Sequence, residues 1–428
     1  MGADTHIPVI YEHDDKATTI LPLLASHLPL SSALLRRIQH GIAYPAPTAK
    51  ILATFSPSTS PSPDTPWLAA RVDLFRGRET QIILYSSLEA EHTSIQPIVS
   101  APPVTVTTPS DGSSPSATES NNNASPGPNY TVATLHSASP AFLDLAREQL
   151  LALLAYIKTN LLPGYLASLP PDLTKKSAAM QSPNGVPLIP APDPRAFLIG
   201  TLHTGLFTLL LQSGVFPHPD DVVAPSEKLV PLPGLKVHRY DNPPYSKFYF
   251  PREVFTMRDG GAEIPLPNGY RFHDRKGRVG VLEAHLDLVQ SRTNIPRSKA
   301  QLLSIPGVAI YCDTQSATRG DGEEDELPVA WAFLGVDGPI ATLHVEPEHR
   351  GKGLALSLSK EVMRRGMDSN GVFGADRLEF MDEKLRQKTT AWVHAEVAQI
   401  NKASRRVMEK VGGEVKTTVM WVVIELCN

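Results

Sequence analysis

From about residue 261 onward, apolar positions come in short blocks that switch between the period of a strand and the period of a helix. Gly269–Asp274 (GYRFHD) predicts a strand, Val279–Arg292 a helix and Gly307–Asp313 (GVAIYCD) a strand. Pro328–Gly335 and Ile340–Glu346 predict a hairpin turning at Val-Asp-Gly-Pro. Leu354–Gly366 predicts a helix, with Leu354, Leu358 and Val362 recurring at four and Arg364–Arg365 ahead of a glycine stop. Ala391–Val397 predicts a strand, Asn401–Gly413 a helix with an Asn start and a Gly end, and Val415–Leu426 further strand. This order implies an α+β domain over 261–428, one mixed sheet covered by helices.

Upstream the pattern is looser. Trp67–Phe75 and Thr80–Leu88 alternate around the polar turn RGRE and predict a hairpin; Pro140–Leu162 predicts a helix started by Ser139; Leu235–Phe250 holds short strands. These define an N-terminal α+β domain, residues 1–250. Ser56–Pro66 and Ala101–Pro128 are so rich in Ser, Pro, Thr and Asn that they predict flexible loops, the second a disordered insertion over about 96–130. Ser316–Pro328 predicts a solvated acidic loop. Phe197–Phe216 is long enough to span a membrane, but it carries His203, Gln212 and three glycines without flanking basic clusters, so it predicts a buried helix.

Composition narrows the functions. With 428 residues, 41% hydrophobic, 20% charged and a net charge of -4, the chain can build a core and shows no basic run for nucleic acid. Two cysteines, Cys312 and Cys427, exclude a disulfide framework and a cysteine zinc site, and predict a reducing, intracellular setting. The N-terminus has no signal-peptide pattern. No histidine set has metal-ligand spacing, and no G-x-S-x-G is present.

The stretch His344–Ala355, HVEPEHRGKGLA, holds the candidate chemistry. Two glycines open a helix that they weaken by roughly 1 kcal/mol each against alanine. Bare backbone at a helix N-terminus suits phosphate oxygens, which meet unpaired N–H groups and a partial positive charge. Arg350, Gly351, Lys352, Gly353, Leu354 and Ala355 therefore predict a pyrophosphate cradle. The P-loop and dinucleotide fingerprints are both absent.

Arg350–Ala355, R-G-K-G-L-A, matches the [QR]-x-x-G-x-[GA] motif of the GNAT acyltransferase superfamily, and Ala330–Ala355 is most similar to its glycine N-acyltransferase-like branch. The resemblance covers about 261–428. It implies a GNAT fold, acetyl-CoA or another acyl-CoA as donor, and direct attack of a neutral amine on the thioester. It places Leu343, His344 and Val345 along the pantetheine, with the Val345 N–H steadying the thioester oxygen, and Asn401 and Ser404 on the far side of the cofactor. A tyrosine acid that many members carry in the last helix aligns with Met408, which puts that role in doubt. By analogy the N-terminal half is a second, degenerate GNAT-like half; an unrelated accessory domain is the alternative.

A base is needed for the ammonium proton. Strand alternation puts Thr342, His344 and Glu346 on one face and Trp392, His394 and Glu396 on another, flanking the gap where the acyl chain would enter. His344, Glu346, His394 and Glu396 are the candidates, with Glu348 behind them. The expected acceptor is the amine of a small molecule or amino acid. A protein or peptide amine, or a non-catalytic scaffold that binds CoA or a partner, remain as alternatives.

Overall fold

The computed structural model describes residues 8–14, 17–77, 79–98, 130–170, 194–211, 235–256, 264–293, 295, 297–313 and 325–426. Most of the expected 96–130 insertion, most of the acidic loop and Cys427 lie outside these residues.

Fifteen strands are described: β1 (Tyr11–His13), β2 (Lys50–Ala53), β3 (Leu68–Val72), β4 (Ile82–Ser86), β5 (Ser94–Pro97), β6 (Thr131–Thr134), β7 (Ala196–His203), β8 (Leu235–Tyr240), β9 (Tyr245–Pro251), β10 (Tyr270–Arg271), β11 (Gly307–Cys312), β12 (Ala330–Leu334), β13 (Ile340–Val345), β14 (Trp392–Ala398) and β15 (Glu414–Leu426). Their order with the helices runs twice through the same series. The first round is β1, helices Ile20–Ser26 and Ser32–Ala43, β2, β3, β4, helix Pro140–Tyr156, β7, helix Thr204–Leu210, then β8 and β9. The second is β10, helices Leu286–Ser291 and Lys299–Leu303, β11, β12, β13, helix Leu354–Gly366, β14, helix Lys402–Val411 and β15. This is an α+β architecture whose second round has the element order that the resemblance implies, with a first round that repeats the order and inserts the β5–β6 pair after β4.

The rounds exchange strands. The large sheet runs β1-β2-β3-β4-β7-β15-β9-β14, with β8 also on β15, while β10-β11-β12-β13 form a second sheet. Thus β15 of the second round lies beside β7 of the first, and β9 of the first pairs along its whole length with β14 of the second, Tyr245 opposite Ala398 through Pro251 opposite Trp392. Of the expected strands, the β3–β4 hairpin (Leu68 opposite Ser86) and the β12–β13 hairpin stand as read; the latter turns at Gly338, φ +81°.

Two expectations are corrected. Phe197–Phe216 is not a buried helix: its described part is β7 followed by the short helix Thr204–Leu210. A strand covered on both faces is apolar throughout and mimics a buried helix in sequence. Val279–Arg292 yields only the helical turns Glu283–His285 and Leu286–Ser291.

Helix Leu354–Gly366 buries Leu354, Leu358 and Val362 in a core shared with β11, β12 and β14. A separate core joins β3, β4, β7 and β15 to helix Pro140–Tyr156. That helix continues through a π turn to Ser168, and among the described residues this is the one stretch long and apolar enough to cross a membrane by length and composition.

Candidate active site

Gly351 and Gly353 have φ +77° and +84°, where an L side chain is strained, and a Cβ on either would meet nothing within 4 Å. Glycine is required by the shape of the turn, and the space outside it is open to a ligand. The helix starts directly on Gly353, whose carbonyl accepts from the N–H groups of Leu356 (3.0 Å) and Ser357 (3.4 Å). Among the described residues, the N–H groups of Gly351, Lys352, Gly353, Leu354 and Ala355 meet no backbone carbonyl, leaving a row of donors at the positive end of the helix. The turn is anchored by its cations: Arg350 Nε donates to Val345 O (2.9 Å), and Lys352 Nζ to Tyr270 Oη (3.0 Å), which stands 2.9 Å from His349 Nδ1.

The strand leading into the turn is interrupted. Trp331 pairs with His344 and Phe333 with Ala341, so β13 carries an extra residue as a bulge, with Thr342 at φ +52°. A β-branched residue there is a strained outlier that bends the strand. Upstream of the bulge β13 meets β14 at one parallel bridge, Pro339 to His394; beyond it no ladder joins them among the described residues. The gap that opens is lined by backbone. Glu346 N donates to Val329 O (2.9 Å), so strand alternation turns the Val345 N–H away from β12 and into the gap. Arg350 holds the Val345 carbonyl on the same side.

His344 stacks on Trp331 (ring centroids 4.7 Å apart) on the sheet face covered by helices Leu286–Ser291 and Lys299–Leu303. Its Nε2 lies 3.4 Å from Glu346 Oε2, and Glu346 Oε1 accepts from Arg292 Nε (3.0 Å). Burial lowers the His344 pKa below 6.5; Glu346 opposes this and Arg350 and Arg292 reinforce it. Leu343 and Val345 pack toward the core beneath helix Leu354–Gly366.

His394 and Glu396 sit elsewhere. His394 is level with Pro339, five residues before His344, roughly 16 Å along the strand. It is fully buried against helix Ser32–Ala43, with Nδ1 3.1 Å from Ser32 Oγ, and desolvation keeps its pKa well below the usual value. Glu396 pairs with the buried Lys247 of β9 (3.0 Å) and accepts from Thr201 Oγ1 (2.5 Å). The four candidate bases therefore form two groups: His344 with Glu346 at the mouth of the gap, and His394 with Glu396 at its closed end, where the two rounds meet. Sequence reasoning placed Thr342 on its strand but missed its positive φ, and it missed Arg292, Lys247 and Thr201.

Asn401 caps its helix, Oδ1 accepting from Ser404 N (3.0 Å). Met408 is 2% exposed and packed in the core, and its helix carries no tyrosine.

The first round has the same strand end. Ser87 N donates to Trp67 O (2.9 Å), which turns the Ser86 N–H away from β3, just as Val345 is turned from β12. Here Glu89 Oε1 takes that N–H at 3.0 Å. Glu89 is buried, and desolvation pushes its pKa to about 8. The β5–β6 pair lies against β15 and the end of β7, Ala133 N donating to Thr418 Oγ1 (2.6 Å) and Ala133 O accepting from Thr204 Oγ1 (2.5 Å).

The family model for the N-terminal domain of the acyl-CoA N-acyltransferase verG matches residues 6–248. The chain belongs to this acyl-CoA N-acyltransferase family. The match lies on the round without the glycine turn. Solved structures give distant likenesses: a Drosophila protein (10% identity, 98% of both chains covered, TM-score 0.46), a tandem GNAT protein from the clavulanic acid pathway (9%, 98% of both chains, 0.40), and a GCN5-related N-acetyltransferase from Kribbella flavida (14%, 44% of this chain and 60% of that one, 0.25). No curated protein matches. Among the described residues, the N–H groups of Val345 and of Gly351–Ala355 in the second round meet no backbone carbonyl.

Proposed function

We propose that the chain transfers an acyl group, acetyl in the simplest case, from acyl-CoA to the amine of a small molecule or amino acid, in the manner of the glycine N-acyltransferase-like branch. The observation that carries this reading is the Val345 N–H, turned into the gap beyond the bulge and directly upstream of the open glycine turn. The thioester supplies the activated acyl carbon. The N–H groups of Gly351–Ala355 bind the pyrophosphate, Leu343, His344 and Val345 run along the pantetheine, and Asn401 and Ser404 border its far side. The Val345 N–H stabilises the oxyanion.

His344 is the base. Its lowered pKa leaves the imidazole neutral at pH 7 and able to accept the ammonium proton. Glu346, held by Arg292, steadies the imidazolium that forms. The buried pair Glu396–Lys247 and the bond from His394 to Ser32 hold the closed end of the gap in register.

A small acceptor is favoured over a basic peptide. Asp325 and Glu326, the described part of the acidic segment, are engaged by Lys276, Arg278 and Arg271 at 2.5–3.0 Å. Titration calorimetry with acetyl-CoA, longer acyl-CoAs and CoA, followed by thiol release over a panel of amines, tests the reading. Binding with amine-dependent release supports it; binding without release for any amine would leave a CoA-binding scaffold.

A further inference from the structure

At the opposite end of the sheets from the glycine turn, arginines gather where the two rounds meet. Arg71 of β3 is 9% exposed, and its guanidinium has no hydrogen bond or ion pair among the described residues. Space is kept for it: a Cβ on Gly41, inside helix Ser32–Ala43, would lie 3.0 Å from Arg71 Nη2. A glycine there weakens the helix, so the room is retained against a local cost. Arg37, 3% exposed, reaches across to Asp337 Oδ2 (3.2 Å). Arg76 pairs with Glu79, whose Oε1 accepts from Ser298 Oγ at 3.5 Å. The Nε of Arg297 is buried without a partner. Asp73 is engaged by Thr48 Oγ1 (2.8 Å) and Phe75 N (3.2 Å).

Four guanidinium groups thus face three carboxylates. Desolvation, and then Arg37, lower the Arg71 pKa to about 10, which leaves it charged. Desolvation with Arg37, Arg76 and Arg71 holds His40 at about 3, so the imidazole, 3.2 Å from Ser304 Oγ, adds no charge. A largely buried cation without a counter-ion is costly, and an anion reaching it from solvent would offset that cost.

We propose that Arg71, Arg37 and Arg297 form a binding site for one small anion, a carboxylate or a phosphate, where the two rounds meet. It is separate from the glycine turn: Asp337 precedes β13, and the turn follows it. Planar guanidinium groups suit bidentate binding of either anion.

The test is thermal unfolding of the full chain in sodium phosphate and in sodium acetate, each against sodium chloride at equal ionic strength. It is run in a Gly353→Asp background, so that phosphate on the glycine turn does not contribute. We expect at least one of the two anions to raise the midpoint by roughly 2–4 °C. Which anion acts distinguishes phosphate from carboxylate. Arg71→Met in the same background should abolish the rise and start from a midpoint no lower than its parent. If Arg71→Met does not fold, Arg297→Met takes its place. A rise of unchanged size in the variant, or none with either anion in the parent, overturns the site.

Discussion

The ends of β4 and β13 show what one strand geometry can be made to do. Both belong to antiparallel hairpins, and both turn one N–H, that of Ser86 or Val345, away from the hairpin partner. In the second round a bulge precedes it, a glycine turn and a helix follow, and the N–H faces an open gap. In the first round Glu89, three residues later, folds back onto the N–H and accepts it. An unpaired buried donor is costly, so a strand end without a ligand must supply its own acceptor. The two rounds differ less in fold than in who satisfies that one donor.

The sharpest way to break the comparison is to close the open side. Gly353→Asp puts a side chain at φ +84° and a negative charge where phosphates would lie. Affinity for acyl-CoA should fall by roughly 100-fold or more, about 2.7 kcal/mol, with the circular dichroism spectrum unchanged. Unaltered affinity in calorimetry would remove the cradle. Next in size, His344→Gln should lower kcat/KM roughly 10²- to 10⁴-fold while leaving CoA affinity within a few-fold of wild type. An equal loss from His394→Gln with the fold intact would shift the base to the closed end of the gap.

The pH profile refines the same point. Since burial lowers the His344 pKa, the acid limb of kcat/KM should have its midpoint below 6.5, with activity rising as the imidazole loses its proton. A limb above 6.5 would argue for another group. The smallest effect belongs to the first round. The folded pKa of Glu89, about 8, lies above its ordinary 4.5, so the folded state binds the extra proton and stability declines as pH rises from 4.5 to 8. Glu89→Gln keeps an acceptor for Ser86 and should flatten this decline in urea unfolding at pH 5 and pH 8. An identical slope in wild type and variant would mean that Glu89 is ionised without penalty.

How far the sequence could be read follows from what each feature depends on. The glycine turn, its helix and both hairpins are local, fixed by residues within a few positions of one another. The bulge was not legible, because nothing in ATLHV marks Thr342 for a positive φ; the strain is imposed by pairing with β12. The division of the four candidate bases was hidden for the same reason, since alternation gives the face of a strand but not its level against a neighbour. Lys247 and Glu396 did leave a trace: each is a lone charge in an otherwise apolar strand, SKFYF and AWVHAEV, and such charges are expected to find each other. The family match, residues 6–248, falls on the round for which the sequence offers no candidate site residue.

The exchange of β9 and β15 has a consequence for modularity. A fragment ending near residue 256 would keep β9 but lose both of its neighbours, β14 and β15, and β7 would lose β15. The complementary fragment would keep β14 with only the single bridge from Pro339 to His394. Each would present a long unpaired apolar edge, which favours association over folding. Although its architecture is duplicated, each round completes its sheet with a strand of the other, so a cut between the rounds removes pairing from both.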